Sequence, residues 1–99
     1  MEPASFQFVL TVPGDNRLVG AVHGLSVHAA TYAKLSSDVT QSFAAKVADA
    51  MQSAIDSTGI QDAPIEFRFD RTASALRVTL SWSHNGSRKT REVLQNLTS

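Results

Sequence analysis

DVTQSFAAKVADAMQSAIDS, residues 38–57, carries the clearest periodicity in the chain. Phe43, Val47, Ala50, Met51, Ala54 and Ile55 recur at three- and four-residue steps, which places them on one stripe of an α-helix. Lys46, Asp49, Gln52, Ser53 and Asp56 fall mostly outside that stripe, so the helix has one face to bury and one to wet. Ser37 or Asp38 can cap its start, with Gln41 three residues after Asp38 in a loose capping-box pattern. Gly59 can adopt the left-handed conformation that ends it.

The flanking segments supply a surface to cover this stripe. Upstream, Phe6, Phe8, Leu10 and Val12 alternate with Gln7, Val9 and Thr11, the pattern of a strand buried on one side. Pro13-Gly14-Asp15-Asn16 is a dense turn signal, and Asp15 or Asn16 can accept the free amide hydrogens of the next helix. From Arg17 to Leu35, Leu18, Val22, Leu25, Ala29 and Tyr32 keep helical spacing. Gly20 and Gly24 share one face of this helix, at a cost of about 1 kcal/mol each relative to alanine. They are either plain tolerated glycines or a place where another backbone, a strand or a partner helix, approaches closely. Ser36 and Ser37 join the two helices tightly, so they pack as neighbours.

Downstream, Ile65, Phe67 and Phe69 alternate with Glu66, Arg68 and Asp70. Leu76, Val78, Leu80 and Trp82 do the same with Arg77, Thr79, Ser81 and Ser83, and the polar turn Arg71 to Ala75 makes the pair a hairpin. Arg68 and Arg77 then lie on a solvated outer face. The remainder, SHNGSRKTREVLQNLTS, opens with a turn and places Val93, Leu94 and Leu97 at spacing compatible with a short helix. The expected architecture is α+β, a two-layer sandwich of order β-α-α-β-β(-α), with both helices on one face of a mainly antiparallel sheet.

Composition bounds the function more by exclusion. Ninety-nine residues with 42% hydrophobic content make one domain, residues 1–99. Nine basic against nine acidic side chains leave no net field either to draw in nucleic acid or to repel it, so partners cannot be read from charge; nucleic acid is not an expected partner because the basic run Arg88, Lys89, Arg91 is short and reads as a solvated helix start. The absence of cysteine excludes disulfides and thiolate metal sites, and no stretch approaches the roughly 18 to 20 apolar residues of a membrane span. The start MEPASFQFVL lacks the pattern of a signal peptide, so a cytoplasmic location is expected. His23 and His28 stand about 140° apart round a helix axis and do not form a metal pair. There is neither a Gly-x-Ser-x-Gly elbow nor a phosphate loop, and the run Arg88, Lys89, Arg91 is short and followed by Glu92. One constellation remains: Asp49 and Ser53, one helical turn apart, and Ser83-His84-Asn85-Gly86 at the end of the Trp82 strand.

The order of elements and several strings resemble the anti-sigma-factor serine kinases of the histidine-kinase-like ATPase superfamily, over Phe8 to about Gly86. FVLTVPGDNRLVGAV is similar to that family's first strand, Pro-rich turn and first helix. VADAMQSAI is similar to the context of its Glu-x-x-x-Asn magnesium motif, and SHNGSR to its Asp-x-Gly-x-Gly motif. The resemblance puts Asp49 at the Glu, Ser53 at the Asn, His84 at the adenine-reading Asp, Gly86 at the first Gly and Arg88 at the second. Serine is a shorter and poorer metal ligand than asparagine, imidazole is a poor substitute for the carboxylate that accepts the adenine amine, and Arg88 is bulky where glycine permits close approach. The chain also stops before the family's glycine-rich lid.

The resemblance therefore implies a vestigial nucleotide site at Asp49, Ser53, His84 and Gly86, with no cofactor, no metal and no catalysis expected. It further implies action through protein partners, a sigma factor or antagonist-like protein or a second copy in a homodimer, by way of the first strand and helix. Val9, Thr11, Gly20 and Gly24 mark that interface. The alternatives are a residual ATP-binding serine kinase of this type and an unrelated small α+β domain that binds a ligand or nucleic acid.

Overall fold

The computed structural model describes residues 5–96. Strand β1 (Phe6–Pro13) leads through a 3-10 turn (Asn16–Leu18) into helices α1 (Val19–Tyr32) and α2 (Ser37–Thr58). Strands β2 (Pro64–Arg71), β3 (Ala75–His84) and β4 (Ser87–Asn96) follow, and the four strands form one antiparallel sheet in the order β1-β2-β3-β4. Both helices pack on one face of it, giving the expected two-layer α+β sandwich.

The α2 stripe is the centre of the core: Phe43, Val47, Ala50, Met51 and Ala54 are fully buried. They meet the inward residues of β2 and β3, Ile65, Phe67, Phe69, Leu76, Val78 and Leu80, all likewise fully buried. The cap of α2 is Ser36, one residue ahead of the expected Ser37 or Asp38; its hydroxyl accepts from the Val39 amide at 3.3 Å. Gly59 ends the helix at φ +65°, as expected.

Helix α1 ends in a turn that the sequence does not announce. Leu35 N–H donates to Ala30 C=O at 3.1 Å and Lys34 N–H to Thr31 C=O at 3.0 Å, with Lys34 at φ +70°. These two bonds close the last carbonyls in the manner usually built around glycine.

Three expectations are corrected. The C-terminal segment is a strand, not a helix: Asn85 (φ +51°) and Gly86 (φ +79°) make a two-residue turn that sends Ser87–Asn96 back along β3, pairing Ser87 with His84 and Val93 with Val78. Val93 and Leu94 consequently point to opposite faces, and Leu97 lies outside the described residues. Of the two readings of Gly20 and Gly24, close approach of a strand of this chain is set aside and plain tolerated glycines stand, since a Cβ on either meets nothing within 4 Å; the close approach is at Gly14, where a Cβ falls 2.8 Å from the Ala63 carbonyl oxygen. No strand of the described chain therefore crosses the α1 glycines. The third concerns β1, whose inward row is only partly covered, leaving Phe8 37% exposed. No helix among the described residues is long and apolar enough to cross a membrane.

Candidate functional site

The proposed nucleotide positions occupy two places. Asp49 lines a shallow cleft of about 240 Å³ with Lys46 and the β4 residues Arg91, Glu92, Val93 and Leu94; Ser53 is exposed one turn further along α2. His84 and Gly86 are at the tip of the β3–β4 hairpin. Ser57, which reaches Trp82 near that tip, is eight residues beyond Asp49, about 12 Å along the helix axis. The Asp49 cleft includes none of Ser53, His84 and Gly86. His84 is half-buried, its Nδ1 has no hydrogen-bond partner, and its Nε2 lies 3.2 Å from the Asn85 side-chain nitrogen.

Arg88 points away from this region. Paired with Ser83, it projects from the sheet face opposite the helices, where its guanidinium meets Glu66 at 3.3 Å across β3. The same face carries Arg77, which contacts both Asp70 (3.2 Å) and Glu92 (3.5 Å). Opposite charges thus cancel strand by strand, which is how a wetted antiparallel face is built.

Where loops meet at the end of the sheet, a cleft of about 590 Å³ is lined by Asp15, Arg17 and Asp62 among others. Its one strong contact is internal. Arg17 grips both carboxylate oxygens of Asp15 at 2.7–3.1 Å, and the Arg17 backbone amide adds a bond at 2.9 Å. The Arg17 side-chain bond first, and that amide second, hold the Asp15 carboxyl below the usual carboxylate range. Among the described residues, no group of three or more His, Asp or Glu side chains is placed to hold a metal ion.

The α1/β1 side is different in kind. Neither Phe6–Pro13 nor Val19–Tyr32 contains a single Asp, Glu, Lys or Arg. Between them, Phe6, Phe8, Leu25, Ala29 and Tyr32 line an open groove of about 260 Å³ whose walls are almost wholly apolar. Phe8 stacks on the fully buried Phe69 with centroids 4.7 Å apart, and Phe6 meets the edge of Tyr32 at 5.5 Å, so one ring of the groove is anchored on the core and the others lie toward the surface. Tyr32 itself is 65% exposed. Gly20 and Gly24 sit on α1 with open space at their Cα hydrogens. Val9 and Thr11 lie in β1 with their side chains on the opposite face of the sheet. Val9 and Thr11 border the free edge of β1, beyond which no strand of the described chain lies, whereas Gly20 and Gly24 lie about 100° or more round the α1 axis from Leu25, the residue turned toward β1, so the two pairs do not form one patch.

The groove was legible only in part: the alternation of β1 names Phe6 and Phe8, but not that α1 would leave them half covered. No family model matches the chain, and no curated protein matches it.

Proposed function

We propose that this chain is a non-catalytic regulatory or protein-interaction module, related to the anti-sigma-factor kinases and acting by partner binding through its β1 edge and α1 surface. One observation carries the reading. The two sheet edges are treated oppositely: β4 is lined by Arg88, Lys89, Arg91 and Glu92, whereas β1 has no charged residue at all. Charge on an edge strand prevents unwanted pairing, so an edge left without it, beside an apolar groove, is suited to receive another chain. The chemistry of the second candidate supports the same reading from the other side. Asp49 shares its cleft with two cations, Lys46 of α2 and Arg91 of β4, and Ser53 is a weak metal ligand.

Two measurements test it. Calorimetry with ATP and Mg²⁺ is expected to show no heat of binding; micromolar affinity would overturn the non-catalytic reading and favour a residual kinase. Pull-down from a native lysate is expected to retain specific proteins that a Val9→Lys variant, with its charge on the β1 edge, does not. Identical captures by both forms would remove β1 as the binding edge.

A further inference from the structure

We propose that the helix face of the β1–β2 end of the sheet binds an amphipathic monocarboxylate, an acyl-chain acid whose carboxylate is held by Arg71 and whose tail lies in the groove of Phe6, Phe8, Leu25, Ala29 and Tyr32. This goes beyond the partner reading and does not rest on it: that reading is judged by protein capture, this one by a small ligand.

The cation is the first observation. Ile65, Phe67 and Phe69 turn apolar side chains to the helix face of β2, and the next residue in that row is Arg71. Only 7% of it is exposed, yet no Asp or Glu among the described residues lies within salt-bridge distance of its guanidinium. Nη1 donates to the Thr72 carbonyl at 3.0 Å, while Nε and Nη2 have no partner among the described residues. Neither of these two is sealed from solvent, because His84 Nδ1 is the sole buried side-chain nitrogen or oxygen of the described residues without a partner. Nε and Nη2 form one fork of the guanidinium, the same fork with which Arg17 holds the Asp15 carboxylate. A guanidinium taken largely out of water without a counter-charge is costly, and a carboxylate accepting both fork N–H groups relieves that cost.

The place for a tail adjoins it. Arg71 stands opposite Phe6 in the β1–β2 register, so both side chains lie on the helix face. Arg71 lines a cleft of about 400 Å³ beside the β2–β3 turn, with Phe6, Thr72 and Ala73 among its walls. Phe6 also lines the apolar groove of about 260 Å³, so the two cavities meet at one ring. Neither holds a second Lys or Arg, and the Arg71 cleft also carries Asp70. One cation beside a carboxylate suits a singly charged anion and disfavours a phosphate dianion. The groove beyond Phe6 has no charged side chain, so it favours a tail without a second polar end.

Calorimetry and NMR of the full chain with octanoate, kept below its aggregation concentration, test the site. Saturable binding is expected, at least tenfold tighter than that of octanamide, which has the same tail and no charge. Across hexanoate, heptanoate and octanoate the affinity is expected to rise about fourfold per added methylene. The resonances of Phe6, Leu25, Ala29 and Tyr32 are expected to shift. Arg71→Met keeps an aliphatic stem without the charge; checked for folding by Trp82 fluorescence, it is expected to bind octanoate no better than octanamide. No saturable binding, equal affinity for acid and amide, an affinity indifferent to tail length, or shifts confined to other parts of the chain would each overturn the proposal. The acid, amide and tail-length comparisons use the unaltered chain, so they decide it whether or not Arg71→Met folds.

Discussion

Trp82 Nε1 donates to Ser57 Oγ at 3.1 Å, tying the far end of β3 to the last turn of α2. Trp82 is 8% exposed and is the chain's one tryptophan, so this bond satisfies the only polar atom of a large core side chain and gives its environment an intrinsic reporter. Replacing Ser57 with alanine strands the indole N–H and is expected to cost about 1–3 kcal/mol. Urea unfolding followed by tryptophan emission measures it. On a Trp82→Phe background, followed by circular dichroism, the same serine substitution is expected to cost far less.

Lys34 sits at φ +70°, where a side chain costs roughly 1–2 kcal/mol that glycine does not. Its two neighbouring backbone bonds already close α1, so Lys34→Gly removes strain without removing a contact. A gain of about 1 kcal/mol is expected, raising the melting temperature by roughly 4–8 °C for a chain of this size.

The glycines divide into opposite classes. Gly14→Ala drives a Cβ into the Ala63 carbonyl oxygen and must spread the ends of β1 and β2, at an expected cost of about 1–3 kcal/mol. Gly20→Ala and Gly24→Ala enter open space in a helix and are each expected to stabilise the isolated chain by about 1 kcal/mol. Thermal denaturation of the three variants gives the signs directly.

The Asp15–Arg17 fork has a defined pH signature. A carboxyl whose folded pKa is depressed contributes stability that is present above the unfolded value, about 3.9, and is lost as the pH falls through the lower folded one. An NMR titration of Asp15 is therefore expected to show a midpoint below 3.8. Arg17→Ala is expected to raise it only part of the way, because the residue-17 backbone amide still donates to the carboxylate.

The architecture was readable where burial is one-sided and continuous. The α2 stripe and the β2–β3 alternation named twelve of the eighteen buried hydrophobic residues, because each of those elements sits between a dry layer and a wet one; the buried alanines Ala30, Ala33 and Ala44 were too small to mark a face. At β4 the same reasoning failed for a physical reason: only Val93 is buried, so there is no alternation to see, and a charged edge strand looks like a solvated helix start. The Asn85-Gly86 pair was the available signal, since both residues must adopt positive φ in the tight hairpin turns that favour this dipeptide. The Ser36 cap differs by one residue because neighbouring serines offer equivalent hydroxyls and only the chain direction chooses between them. At the candidate sites, sequence spacing placed Asp49 and Ser53 on one helix but had no means of ranking distance to His84, which depends on where α2 lies over the sheet.

A sheet with one open rim and one fenced rim cannot propagate. Any strand that joins at β1 occupies the sole uncharged border, and what remains on the far side is the row Arg88, Lys89, Arg91 and Glu92. Side-by-side stacking of copies into a continuing sheet is thus resisted at that charged border, whatever occupies the other.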